Sequence, residues 1–168
     1  MSHEYEIIKK IVQNTFQSAL KDNTLEFLTY LNDNSMEFER ISGYWQNQFY
    51  WEVTYKNKCV CYILLNGTGD EKQFAPLTIW SDDSGSNWYE NDLLSDEFKK
   101  IAWENVDYCV HCGSCSGGTQ KTIFGREFDN ICKTTMRFTN PDMQTFHLIK
   151  ELMYARKKDI ENSLWISK

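Results

Sequence analysis

The chain has 168 residues, 41% hydrophobic and 25% charged, with a net charge of −6. That is one domain's worth of sequence, long enough to bury a core without disulfide staples, and its acidic balance argues against nonspecific nucleic-acid binding, which needs a basic face. Met1–Lys10 carries Glu4, Glu6, Lys9 and Lys10 with no apolar run, and no stretch reaches bilayer-spanning length. The sequence therefore predicts no signal peptide, no membrane partner and a cytoplasmic location.

The chain reads throughout, 1–168, as a single α+β domain. Ile8, Ile11, Val12, Phe16 and Ala19 recur at three- and four-residue steps, predicting a helix from Glu4 to Leu20. Asn23 with Glu26 has the form of a capping box and predicts a short second helix carrying Leu25, Leu28 and Leu31. The period then changes to two. Met36–Arg40 alternates, Phe49 to Tyr55 alternates, and Lys56-Asn57-Lys58 supplies a turn. Cys59 to Leu65 is apolar on both faces, as a central strand is, and Asn66–Asp70 ends it. Leu77–Trp80 is a further strand, followed by the polar loop Ser81–Asn87. Ser95 caps a middle helix with Asp96 and Glu97 in its first turn. A Cys/Gly-rich loop occupies 109–121, and Cys132–Phe138 reads as the last strand. Asn140-Pro141-Asp142 starts a final helix with Asn140 as cap, and Met143, Phe146, Ile149, Met153 and Ile160 form its buried stripe. Arg156-Lys157-Lys158 reads as a cationic helix end. The expected architecture is an antiparallel sheet of about five strands with N-terminal, middle and C-terminal helices packed on it.

The sharpest chemical signal is Cys109-Val-His-Cys112-Gly-Ser-Cys115-Ser-Gly-Gly. Six cysteines in a reducing compartment are poor material for a disulfide framework, which leaves metal binding, catalysis or simple burial. A C-x2-C turn brings two thiolates to one ion, and here two such units overlap. Gly113, Gly117 and Gly118 permit the left-handed conformations that wrap a backbone around a metal. Cys132 is the expected fourth ligand, with His111 as the other choice. Four thiolates, or three and an imidazole, suit zinc. The all-thiolate set also suits iron or an iron–sulfur cluster, but the ferredoxin pattern of a fourth Cys and a Pro directly after is missing. A thiol-redox role, through Cys112, would need a lowered pKa and usually a helix N-terminus. Reduced thiols without a task in a flexible loop are the remaining reading. Cys59 and Cys61, two apart on a strand, are expected on one face as small core residues.

Trp45, Trp51, Trp80, Trp88 and Trp103 either line an aromatic pocket for a small ligand on the open face of the sheet or fill the core. Arg126 is a weak anion-site candidate or a structural partner of Asp129. Asp82 and Asp83 read as a solvated turn, because the alternating oxygens of a calcium loop are missing. His3, His111 and His147 are scattered, and no catalytic residue stands out.

The run Thr122-Ile-Phe-Gly-Arg-Glu-Phe-Asp-Asn-Ile-Cys132, together with Asn140-Pro-Asp142, Arg156-Lys-Lys-Asp-Ile160 and Trp80-Ser-Asp-Asp-Ser-Gly-Ser-Asn-Trp88, resembles a family of small uncharacterised Firmicutes proteins. The resemblance covers most of the chain and implies no particular activity. More distantly, the helix–meander–helix order is similar to that of the frataxin-like iron-chaperone family. That likeness implies iron binding through an acidic first helix, whereas here Lys9 and Lys10 offset Glu4 and Glu6.

Overall fold

The computed structural model describes residues 3–41, 49–65, 76–90, 94–112 and 115–166. Trp45, Gly113 and the turn at Asn66–Asp70 lie outside the described residues. Tyr5, Ile8 and Val12 form the buried stripe of α1 (His3–Thr15), and Thr24, Phe27, Leu28 and Leu31 that of α2 (Ser18–Asp33). The single helix expected through Leu20 is in fact broken after Thr15. Ser18 takes a φ of +54°, and Asn23 sits inside α2 instead of capping it. Phe16, in the break, is itself buried, so the apolar period runs through without marking it.

β1 (Glu37–Arg40), β2 (Phe49–Tyr55), β3 (Lys58–Leu65) and β4 (Leu77–Ser81) form an antiparallel meander. Lys56 and Asn57 both have positive φ, as a two-residue hairpin turn between twisted strands requires. α3 (Asp96–Glu104) begins where expected: Ser95 Oγ accepts from the Phe98 amide at 3.3 Å. β5 (Val106–Tyr108), β6 (Thr119–Ile123) and β7 (Arg126–Thr139) follow, then α4 (Met143–Ile166). The sheet has seven strands, not about five, in the order β1-β2-β3-β4-β7-β5, with β6 also on β7. β5 is too short to show a period. β6 is polar, and β7 has left-handed residues at Asn130 and Thr135, where its alternation is interrupted.

Asp142, not Asn140, starts α4: its Oδ1 accepts from the Thr145 amide at 2.8 Å. Asn140 instead turns with φ +44° and its Oδ1 accepts from the Leu77 amide. The core joins Trp51, Val53, Ile63, Leu77, Ile79 and Phe138 of the sheet to Phe27, Leu31, Phe146, Ile149 and Met153 of the helices. The indole of Trp51 also donates to Glu4 Oε2 at 3.0 Å, which ties α1 to the sheet. Among the described residues no helix is long and apolar enough to cross a membrane.

Candidate functional site

The Cys/Gly segment links two strands that both pair with β7. Tyr108, the end of β5, and Thr119, the start of β6, both pair with Ile131, so they flank it on opposite edges. The described residues 109–112 and 115–118 therefore belong to a strap that joins opposite edges of the strand. Packing fixes the far end of this strap. A Cβ on Gly118 would stand 2.4 Å from Asn130 Oδ1, 2.7 Å from the Asn130 carbonyl carbon and 2.7 Å from Cys109 Cβ. No side chain fits there. Asn130, at φ +59°, holds the near end: its carbonyl accepts from the Cys109 amide at 2.8 Å, and its Nδ2 donates to the Cys109 carbonyl at 3.2 Å.

The four predicted thiols differ in exposure. Cys109 is buried, and its Sγ accepts from the His111 amide at 3.4 Å. Cys112 and Cys115 are exposed. Cys132 is half-buried on β7, one residue past Ile131, and its thiol hydrogen-bonds the Asp107 carboxylate. Among the described residues, no three His, Cys, Asp or Glu side chains converge as a ligand set. His111 is exposed, at φ +54°. Cys112 does not lie at a helix N-terminus, because none of the described strap residues is helical.

The stretch of β7 after Ile131 is polar and charged in its surroundings. Asp107 accepts from Thr134 Oγ1 at 3.1 Å and pairs with Arg137 at 3.3 Å. Burial raises its pKa, and Arg137 works against the rise. Lys121 of β6 donates to the carbonyls of Cys132 and Lys133, both at 3.1 Å, and to Thr135 Oγ1 at 2.6 Å. Burial lowers the pKa of this ammonium. Thr135 sits at φ +63°, a conformation that a β-branched residue holds only when its surroundings compel it.

Beside this lies a buried ion pair that sequence reasoning missed. Asp82, expected in a solvated turn, is 0% exposed, and Arg156, expected at a helix end, is 4% exposed. Arg156 Nε lies 3.3 Å from Asp82 Oδ2 and donates to the Cys59 carbonyl at 3.1 Å, while its other arm bonds Asp159. Trp88 Nε1 and Tyr89 Oη donate to Asp82 Oδ1 at 2.9 and 2.8 Å. A buried carboxylate needs such a full set of donors. The signal was present in the spacing: Phe146, Ile149, Met153, Arg156 and Ile160 continue one helical stripe, with the arginine inside it.

The predicted aromatic set divides. Trp51 and Trp88 are core residues with their indole N–H groups used on Glu4 and Asp82. Trp103 donates to the Ile123 carbonyl. The Arg126 guanidinium lies 5.6 Å over the ring of Trp103 and 5.0 Å over that of Phe128. Trp80 is on the other face of the sheet, where register aligns Glu39, Glu52, Tyr62, Trp80 and Arg137 in one row. Tyr50 stacks on Tyr62 at 5.7 Å and meets Trp80 edge-on at 6.3 Å. A register shift in the β2–β3 pairing separates the two strand cysteines. Cys61 is core, while Cys59 hydrogen-bonds Tyr62 and Glu52. No protein-family model, curated protein or solved structure matches the chain.

Proposed function

We propose that the chain is a non-enzymatic metal–thiolate protein, in which Cys109, Cys112, Cys115 and Cys132 hold one zinc ion in a structural role. One observation carries the reading: the strap bearing three of the thiols is anchored at both ends against Ile131, next to the fourth. Zinc takes four such ligands in a tetrahedron and needs no redox partner. Closing the set swings Cys112 and Cys115 out of solvent toward Cys109 and Cys132, and Gly117, at φ +110°, gives the backbone room to do so. His111 is the substitute for one thiolate, and iron the substitute metal. The ion would then clamp the strap between its two anchored ends, which is folding free energy delivered locally. Elemental analysis of protein purified under reducing, zinc-replete conditions tests this. The expectation is about one zinc per chain, lost when all four cysteines are changed to serine. Near-zero metal in both proteins ends the proposal.

A second reading, a small-ligand module on the aromatic outer face, is favoured by a separate observation. Thr78 Oγ1, in the row beside Tyr62 and Trp80, is buried without a hydrogen-bond partner among the described residues. Native proteins seldom leave such an atom unpaired, and a ligand is one partner it could have. Thr78→Val in the ligand-free protein should then leave the melting midpoint unchanged or raise it, because it removes an unpaired buried hydroxyl. A clear fall in midpoint would mean that the hydroxyl already has its partner within the fold, and this reading would go.

A further inference from the structure

We infer that the outer edge of β6, together with the loop facing it, is a docking slot for an extended, basic peptide segment. The slot is a groove of about 380 Å³ between Gly85, Ser86, Asn87, Tyr89 and Glu90 on one wall and Thr119–Thr122 with Glu127 on the other. Among the described residues β6 pairs only with β7, so its second edge carries backbone donors and acceptors outside the ladder. The hairpin at Phe124–Gly125, both at positive φ, makes Ile123 and Arg126 the last bonded pair. Alternation then turns the amide and carbonyl of Thr122 outward. Phe124 already uses that direction: its amide donates to the Tyr89 carbonyl at 2.8 Å, and Tyr89 lines the groove. A guest strand would continue this line of bonds toward Thr119.

The edge also lacks the usual guard. Edge strands are commonly protected by a lysine, a proline or extreme shortness. β1 carries Glu37, Glu39 and Arg40, and β5 is three residues long. β6 has five residues, Thr-Gln-Lys-Thr-Ile, with no proline. Its one lysine, Lys121, lines the groove, but its ammonium is tied back by donating to the carbonyls of Cys132 and Lys133 and to Thr135 Oγ1, and lies 6.0 Å over the ring of Tyr89. Besides Lys121, the charged residues lining the slot among those described are Glu90 and Glu127. Strand addition supplies affinity through backbone bonds, and the two carboxylates select lysine or arginine.

The probe is a fluorescently labelled alternating Lys/Val hexapeptide, titrated by anisotropy and mapped by amide chemical shifts on the intact chain. Binding should perturb residues 85–90 and 119–122. It should weaken about tenfold when alternate peptide amides are N-methylated, when Glu replaces Lys in the peptide, or in the Glu90→Lys, Glu127→Lys double variant. The N-methylated peptide leaves the protein untouched, so misfolding cannot mimic the loss. Binding that ignores N-methylation or charge, shifts mapping elsewhere, self-association of the chain through β6, or no binding at all would overturn the inference.

Discussion

Replacing Arg156 with methionine removes the buried guanidinium and keeps much of its stem. Asp82, fully buried, keeps neutral donors, Trp88 Nε1, Tyr89 Oη and the Ser84 amide and hydroxyl, and the Cys59 carbonyl loses the guanidinium. Breaking a buried pair from one side costs about 3–5 kcal/mol, because the remaining charge is uncompensated. With a urea slope of about 1–3 kcal/mol/M for a domain this size, the midpoint should fall by on the order of 2 M. The double variant Asp82→Asn, Arg156→Met should recover part of that loss, because it removes the stranded charge while its amide oxygen still accepts from Trp88 and Tyr89. Urea unfolding followed by tryptophan fluorescence measures all three proteins, with exposed Lys158→Met as a reference for a surface change. If Arg156→Met costs no more than Lys158→Met, or if the double variant is no better than the single one, the account of α4 being pinned through Asp82 is refuted.

Gly118→Ala should destabilise by about 1–3 kcal/mol, because the added methyl overlaps the Asn130 backbone and Cys109 Cβ. It should also impair zinc uptake. Gly85→Ala, at φ +70° but in open space, should cost only the conformational penalty of about 1 kcal/mol and spare the metal, and elemental analysis beside urea melts separates the two. Cys59 supplies a pH dependence. Burial pushes its thiol up to about 12 from an ordinary 9.0, so between those values the unfolded chain gives up a proton that the folded chain keeps. Stability should therefore fall as pH rises above about 9, by at most about 1.4 kcal/mol per pH unit from this group. Cys59→Ala should flatten that limb in melts at pH 8, 9 and 10, and an unchanged slope would remove Cys59 as its source.

Much of the fold was legible where one rule dominated. β2, β3 and β4 follow from alternation or unbroken apolarity, and Ser95 from its capping position. Where two rules met, the reading failed. Phe16 keeps its place in the stripe while the helix breaks beneath it. Asn130 and Thr135 interrupt the period of β7, and β6 is too polar for a strand signal. The site divides in the same way. The strap cysteines were visible as a local motif, but the strap's joining of opposite edges of β7 depends on Tyr108 and Thr119 sharing Ile131, a long-range fact of register. Asp82 read as loop because Asp-Asp-Ser-Gly is turn chemistry. Only its partner, ninety-seven residues from Cys59 along the chain on α4, makes it a buried anion.

The most direct test of the thiolate site is cobalt titration of reduced, metal-free protein, read in the visible ligand-field bands. Four sulfurs drawn together by the strap should give an intense tetrahedral spectrum that saturates at about one ion per chain and is lost or weakened in Cys132→Ser. A pale octahedral spectrum that Cys132→Ser does not change would contradict the convergence of strap and strand.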